Sequence, residues 1–228
     1  MLVRLHLFLN LQLRISLYMK LRSYRLVAVF IFLYSFKVWS AIDVVPKVLE
    51  LTGDSDRIAI INNGEKTEFI NIKLKKITNP GIDYSFEDYI DIKEDDDPKI
   101  YYSPFRIALS PKQKKYLTVK RVKEVLFEEV YRIDIMPSLL PVSNGNDSAV
   151  IINIGFSSII RNYPKVIRKE FEFNCGNTQD VAINKGNTHI TARYISGDLK
   201  GEAINIYPGQ KKYFPHKDVV VENQTCRL

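Results

Sequence analysis

The stretch Ser148–Pro164, SAVIINIGFSSIIRNYP, decides the fold of this 228-residue chain. Its even-numbered residues from Val150 to Phe156 are all apolar, and this two-residue period is that of a β-strand. On the odd-numbered face, Ile151 and Ile159 alternate with small or polar residues. A strand of a half-solvated sheet needs only one apolar face. Either this strand is buried on both sides, or it lends its spare apolar face to a partner.

The rest of the chain repeats the same short period. Alternating or β-branched runs are separated by turn residues, and no stretch of ten residues has a convincing helical period. The clearest runs are 57–62, 67–77, 116–122 and 130–136. The pattern predicts an all-β chain with few helices, built as one large or two modest β-sandwiches.

A domain boundary is expected near Tyr163-Pro164, because proline cannot donate a hydrogen bond in a sheet and tends to end a central strand. This places the first domain at residues 41–164 and a smaller second domain at 165–228. Val166–Phe173 is expected to be the first strand of a new set.

The first 40 residues have the pattern of a signal sequence, with the true start at Met19. From Met19 onward, a basic segment, an apolar segment and a short cleavage region follow one another, with cleavage favoured after Ser40. The apolar run Leu26–Phe36 is shorter than the roughly 20 residues that span a bilayer. The sequence therefore predicts export without stable membrane insertion, and an uncleaved anchor is the minor alternative.

Net charge argues against nucleic acid as a partner. The chain has 33 basic and 26 acidic residues, but six of the basic residues lie in the first 40 positions, which carry no acid. The exported part is therefore nearly neutral, with 27 basic residues against 26 acidic ones. Binding to phosphates through a general positive field needs a clustered basic excess.

Both cysteines, Cys175 and Cys226, lie in the exported part. An isolated pair in an oxidising compartment is typical of a disulfide. Two independently buried thiols are the alternative.

No motif of catalysis, metal binding or cofactor binding is present, so we expect no enzyme activity, no cofactor and no metal. His189 and His216 have no second ligand near them in the sequence and are interpreted as surface or structural histidines. The acidic run Glu94–Asp97 lacks the alternating ligands and central glycine of a calcium loop and is interpreted as a solvated loop.

Several segments, in order and spacing, resemble the periplasmic pilus (fimbrial) chaperones. The similarity is strongest to the alternate-chaperone branch that serves colonisation-factor fimbriae. The segments that carry it are DVVPKVLELTG (43–53), KKITNPG (75–81), YSPFRIAL (102–109), EEVYRI (128–133), the 152–164 strand with its Ile160-Arg161 and Pro164 ending, NKGNT (184–188) and Tyr207-Pro208-Gly209.

This resemblance implies two immunoglobulin-like β-sandwich domains in an L-shaped arrangement. It also implies a chaperone in the periplasm of a Gram-negative bacterium, whose partners are fimbrial (pilin) subunits and an outer-membrane usher. Such a chaperone donates a β-strand to a subunit that lacks its own last strand. Self-association of the empty chaperone is a further expectation.

Carried over to this chain, the resemblance implies five donor-strand residues. They are Ser148, Val150, Ile152, Ile154 and Phe156. It also implies that Arg161, with Lys47 as its partner, holds the subunit's C-terminal carboxylate. For both basic residues an ordinary solvent-facing charge is the alternative.

The competing hypothesis is a secreted β-sandwich that is itself a structural or adhesive fimbrial subunit, or that binds carbohydrate. A subunit carries an alternating apolar donor segment directly after its signal sequence. Here Ile42–Leu51 is short, contains Pro46 and leads straight into the next strand. The aromatic pairs Tyr101-Tyr102 and Tyr84 with Tyr89 are compatible with carbohydrate binding, and packing explains them equally well.

Overall fold

The computed structural model describes residues 42–138 and 154–226, and these form 17 β-strands and one short 3-10 helix. The signal sequence predicted at residues 1–40 lies outside the described residues. The first ten strands are β1 Ile42–Val45, β2 Val48–Leu51, β3 Ser55–Asn62, β4 Glu68–Ile77, β5 Tyr89–Asp91, β6 Ile100–Ser103, β7 Arg106–Leu109, β8 Lys114–Arg121, β9 Glu129–Pro137 and β10 Phe156–Asn162, with the 3-10 helix at Tyr84–Phe86.

These ten strands form two sheets that enclose one apolar core. One sheet has the order β1-β3-β8-β6, and the other has the order β2-β10-β9-β4, with both β5 and β7 paired to β4. In strand β9, Tyr131, Ile133 and Ile135 are buried between the two sheets, whereas the residues between them lie outward. The two-residue period therefore became the inner and outer faces of a β-sandwich.

The remaining strands form a second, smaller pair of sheets. They are β11 Phe171–Asn174, β12 Gln179–Asn184, β13 Ile190–Tyr194, β14 Ala203–Ile206, β15 Lys211–Pro215, β16 Val219–Val221 and β17 Gln224–Thr225. Their sheets have the orders β11-β12-β15 and β14-β13-β16-β17. Phe214, Ile206 and Val221 are among the buried residues of their core. The predicted all-β class with two sandwiches is confirmed, while the L-shaped arrangement and the exact domain bounds remain predictions.

One predicted strand begins later than the sequence indicated. The chain from Val166 to Glu170 has no strand, and β11 starts at Phe171. The side chain of Asn187 takes the place of a neighbouring strand here, because it accepts from the Arg168 backbone N–H at 2.7 Å and donates to the Val166 carbonyl at 2.8 Å. A side-chain bridge thus satisfies backbone groups that a sheet ladder would otherwise pair.

Among the described residues, no helix is both long and apolar enough to cross a membrane.

The predicted disulfide is present, because Cys175 and Cys226 are bonded and their Cα atoms are 5.6 Å apart. It joins the end of β11 to the residue after β17 and so closes the second sandwich. The sequence separation of 51 residues corresponds to a stabilisation of about 4 kcal/mol on the chain-entropy model, which is an upper guide.

The double variant Cys175→Ser/Cys226→Ser should therefore unfold with a free energy about 2 to 4 kcal/mol lower than that of the oxidised chain. Urea unfolding followed by far-UV circular dichroism measures the change. The reduced wild type is the matched control and should behave like the variant. Equal midpoints for the variant and the oxidised wild type would show that the bridge adds no stability.

Candidate functional site

Strand β10 is an edge at its beginning and an interior strand at its end. It pairs antiparallel with β9 over its full length, from Phe156 opposite Ile135 to Asn162 opposite Glu129. On its other side it pairs in parallel with β2, but only from Ile159 onward. Within the described part of the chain, no strand pairs with the outer side of Phe156 and Ser157. An open edge of this kind is where an added strand can pair.

The even-numbered face of β10 points into the chain's own core. Ser158, Ile160 and Asn162 are buried, and Phe156 packs partly against the same core. The Ser158 hydroxyl donates to the carbonyl of Pro46 at 2.9 Å. Ile154, two residues before Phe156, lies ahead of the strand with 62% of its surface exposed. Core packing thus fades toward the start of the strand.

The odd-numbered face of β10 is also used within the chain. Ile159 packs against an apolar cluster formed by Ile77, Val130 and Tyr207, which joins the end of β4 and the start of β9 to the second sandwich. The end of the strand is therefore covered on both faces by the chain itself. Of the described residues before Phe156, Ile154 is exposed. Of the five predicted donor residues, Ser148, Val150 and Ile152 lie outside the described residues, so the donor-strand assignment stays a prediction.

Lys47 lies beside the beginning of β10. Its ammonium nitrogen is 2.8 Å from Asp43 Oδ1 and 4.7 Å from the centre of the Phe156 ring. The hydrogen bond from Lys47 lowers the pKa of Asp43 below its usual value. Lys47 is thus paired with a carboxylate and an aromatic face in this structure, and its side chain remains 56% exposed.

Arg161 lies at the other end of β10 and opposite Glu50 of β2. Its side chain is only 16% exposed, and Nη1 is 3.5 Å from both Glu50 Oε1 and His189 Nε2. These contacts are long for charge-assisted hydrogen bonds. The Nε atom is buried and has no hydrogen-bond partner. The guanidinium group is therefore held in place with donor capacity to spare, which suits it to a carboxylate ligand.

The structure does not bring Lys47 and Arg161 together, because their side chains lie at different ends of β10. The side chain of Lys47 reaches back over Phe156, whereas Arg161 is five residues further along the strand. The two roles implied by the resemblance are untested and stay predictions. Arg161 has the geometry that an anion site needs.

A buried Glu128–His189 pair holds the ring that faces Arg161. The Glu128 side chain is fully buried and accepts from the His189 backbone N–H at 2.6 Å and from His189 Nδ1 at 2.8 Å. The short Nδ1 contact assigns the proton to Nδ1. The other ring nitrogen, Nε2, is then the acceptor that faces Arg161.

Two tyrosines flank the His189 ring. The ring centres of Tyr163 and Tyr207 are 6.1 and 5.7 Å from that of His189. Burial, together with Glu128 and Glu50, raises the pKa of Tyr163 to about 12. Burial also raises the pKa of Tyr207. Both phenols are therefore neutral at physiological pH. The Tyr163 O–H donates to Glu50 Oε1 at 3.5 Å, a long hydrogen bond, and both phenol rings lie beside the imidazole that faces Arg161.

The resemblance pointed to Arg161, but nothing in the sequence pointed to its neighbours. His189 was interpreted from the sequence as a surface or structural histidine, and the structure shows a structural one bonded to Glu128. Glu128, Tyr163 and Tyr207 come from separate segments, and they become neighbours only in the folded chain, around His189. Glu128 and Tyr207 also line an adjacent groove of about 660 Å³. The only local feature of the sequence that could have drawn attention to Glu128 is its position directly before a strand.

Comparisons with known proteins extend the similarity. No family model matches the chain. A curated CS1 fimbrial protein of Escherichia coli, which is named as a fimbrial subunit, is 26% identical over 179 residues, and these cover 69% of this chain and 72% of that protein.

Solved structures of fimbrial chaperones share the fold. A chain of the chaperone–tip adhesin complex of CFA/I fimbriae biogenesis matches with a TM-score of 0.60 and 22% identity, covering 76% of this chain and 85% of that one. The class 5 fimbriae chaperone CfaA matches with a TM-score of 0.59 and 20% identity, covering 81% and 98%. A chain of the Acinetobacter baumannii CsuC–CsuE chaperone–tip adhesion subunit complex matches with a TM-score of 0.53 and 14% identity, covering 77% and 90%. The resemblance read from the sequence is confirmed at the level of the fold: this chain has the fold of the fimbrial chaperones.

Proposed function

We propose that this protein is a periplasmic chaperone of the fimbrial chaperone family that binds fimbrial subunits and delivers them to an outer-membrane usher. The observation that carries the proposal is the match to the class 5 chaperone CfaA, which covers 98% of that chain and 81% of this one. A leader pattern and a disulfide support export to an oxidising compartment. The role is binding rather than catalysis.

Strand donation is the mechanism we propose for subunit binding. The residues before Phe156 continue an alternating apolar row from a strand whose outer side is unpaired at Phe156 and Ser157. Main-chain hydrogen bonds to a subunit would supply affinity, and alternate side chains would fill its groove. Each aliphatic chain buried in this way contributes about 1.5 to 3 kcal/mol before ordering costs. The subunit's own open edge is shielded from aggregation while the complex lasts.

The curated relative's name favours the competing function, a fimbrial subunit, so the two functions need to be separated. A subunit needs a donor segment after its signal sequence that is free to leave. In this structure Ile42–Val45 is strand β1 and pairs with β3 of the same chain. Val44 is completely buried in the core, and Ile42 nearly so. The segment is therefore committed to its own sandwich.

Co-expression with a small exported β protein encoded beside this gene tests the proposal. A chaperone should be recovered from the periplasm as a discrete soluble complex with that protein, and the protein should aggregate or be degraded when this chain is absent. Incorporation of this chain into surface fibres would instead identify it as a fimbrial subunit.

The variant Arg161→Ala should weaken this complex about 10- to 100-fold, because a charge-assisted hydrogen bond to a carboxylate contributes about 1.5 to 3 kcal/mol. The thermal transition of the free chain should change little, since both contacts of Nη1 are long. Binding is measured by titrating purified variants with the subunit. Lys47→Ala is the matched control and should have the smaller effect, because Lys47 is engaged with Asp43. Equal affinity of Arg161→Ala and wild type would remove Arg161 from the site.

A further inference from the structure

An apolar cavity of about 420 Å³ opens at the edge of the first sandwich, where β6 is the last strand of its sheet. Ile100 and Tyr102 of β6 line it and are almost completely buried, so they form its floor. The walls are Tyr101, Phe105 and Val122, and each of these side chains is about half exposed. Cavities that bind small molecules are typically of this size and are lined by apolar and aromatic side chains with a few polar groups.

Three aromatic rings meet edge to face at this cavity. The Phe105 ring is nearly perpendicular to those of Tyr101 and Tyr102, and its centre is 5.7 and 4.9 Å from theirs. The Tyr102 hydroxyl donates to the Ile72 carbonyl at 3.0 Å, so the polar atom of this ring is already paired within the sandwich. Aromatic rings favour edge-to-face and offset-stacked neighbours. A further ring in the cavity would extend this arrangement.

The wall that contains Val122 is fixed by contacts within the chain. The backbone N–H groups of Val122 and Lys123 both donate to the Lys99 carbonyl, at 2.8 and 3.2 Å. The Asp97 carboxylate bridges the ammonium groups of Lys99 and Lys123. These contacts fasten the residues that follow β8 to the segment that precedes β6. The cavity is therefore formed before any ligand binds.

The charges at the cavity are positive. Among the described residues, the only charged side chains that line it are those of Lys93 and Lys123. The loop carboxylates of Glu94–Asp97 do not line it. Asp97 is shared between Lys99 and Lys123, so one carboxylate there faces two ammonium groups. An anionic group at the mouth of the cavity would therefore meet an excess of positive charge.

We propose that this cavity binds a small aromatic acid, with its ring against Tyr101, Phe105 and Val122 and its anionic group at Lys93 and Lys123. The apolar floor favours the ring, and the lysines select the charge. A sugar fits less well, because an apolar cavity leaves most of its hydroxyl groups without hydrogen-bond partners. The proposal does not depend on the subunit-binding role, because none of the residues assigned to that role lines the cavity.

The test is a fluorescence titration of the oxidised, exported chain with anilinonaphthalene sulfonate, an aromatic anion that becomes fluorescent when it leaves water. Phenylnaphthylamine, which has the same rings without the sulfonate, is the matched neutral probe. The double variant Lys93→Gln/Lys123→Gln should bind the sulfonate at least about fivefold more weakly than wild type does, because two cations that face it are lost. Its affinity for the neutral probe should equal that of wild type.

Phe105→Ala should weaken the binding of both probes at least about tenfold, because it removes one aromatic wall of the cavity. Tyr116→Ala is the matched control and should bind as wild type does. Tyr116 is an exposed aromatic residue of β8 with Arg57 and Lys114 beside its ring, and it does not line the cavity.

Val122→Glu keeps the proposal testable if circular dichroism shows that Phe105→Ala does not fold. Val122 is more than half exposed, and a carboxylate there would repel the sulfonate and weaken its binding at least about tenfold. The site is overturned if the folded variants among Phe105→Ala and Val122→Glu bind the sulfonate as tightly as Tyr116→Ala does, because the probe would then lie elsewhere. Wild-type affinity of the double lysine variant for the sulfonate would overturn the acid as the ligand. A wild-type dimer in sedimentation velocity that excludes the probe would assign the cavity to a second copy of the chain instead.

Discussion

Replacement of Ile152 by aspartate should abolish recovery of the fimbrial subunit with this chain while the free chain stays folded and exported. Ile152 is the second of the four apolar residues in the row Val150–Phe156. In the proposed complex its side chain fills a groove of the subunit. The substitution removes about 1.5 to 3 kcal/mol of apolar burial and leaves a charge without a partner in that groove. We therefore expect at least about a hundredfold loss of affinity.

The neighbouring variant Asn153→Asp is the matched control, because it places the same charge on the opposite face of the same strand. It should retain the subunit. Affinity purification from the periplasm measures the complex, and circular dichroism of each free variant measures folding. If Ile152→Asp fails to fold, the residue belongs to the chain's own core. If Asn153→Asp is the variant that loses the subunit, the odd-numbered face is the one donated.

Replacement of Arg121 by alanine should lower the free energy of unfolding by about 3 to 5 kcal/mol. The side chain is 5% exposed. It donates to Asn162 Oδ1 at 3.0 Å, to the Leu51 carbonyl at 2.6 Å and to the Tyr163 carbonyl at 2.9 Å. Arg121 ends β8 in one sheet, whereas its acceptors end β2 and β10 in the other. Its loss removes a link between the layers. Asn162 Oδ1 and the Tyr163 carbonyl lose this donor, each at a cost of about 1 to 3 kcal/mol, whereas the Leu51 carbonyl still accepts from the Tyr163 backbone N–H at 3.2 Å.

Urea unfolding followed by far-UV circular dichroism measures this effect. Lys120→Ala is the matched control, because Lys120 is an exposed neighbour on the same strand. Arg121→Lys should recover part of the loss, since an ammonium group reaches fewer of the acceptors than a guanidinium group does. An Arg121→Ala midpoint equal to that of Lys120→Ala would show that the link contributes nothing.

The sequence predicted the strands more reliably than the side-chain contacts. Runs such as 57–62 and 130–136 lie within β3 and β9. Burial of one sheet face selects apolar residues at every second position, so such a run can be recognised from a few neighbouring residues alone. The exception near Val166 arose because Asn187, twenty-one residues away, pairs the backbone in place of a strand. Local patterns carry no information about such a distant side chain.

The candidate anion site around Arg161 likewise combines residues that local sequence indicates with residues that only the fold brings close. The resemblance implied Arg161, which lies near the end of the apolar strand at the expected domain boundary. The pair Glu128–His189 was not indicated by the sequence, since a buried carboxylate and its partner 61 residues away become neighbours only when two sandwiches meet. The resemblance implied that Lys47 and Arg161 hold the same carboxylate. In the structure the Lys47 ammonium group contacts Asp43 and the Phe156 ring.

By itself, the sequence determined that this chain is built of β-strands, predicted that its cysteines pair, and showed that the Ser148–Pro164 segment carries apolar residues beyond the needs of one face. Two-residue alternation and cysteine count suffice for these conclusions, because both depend on short-range chemistry. Only the tertiary structure decided where the apolar faces go. It assigned Ile160 to the core of the first sandwich and Ile159 to the junction with Tyr207. Burial depends on which distant segments pack against a strand, and that is settled only when the sheets assemble.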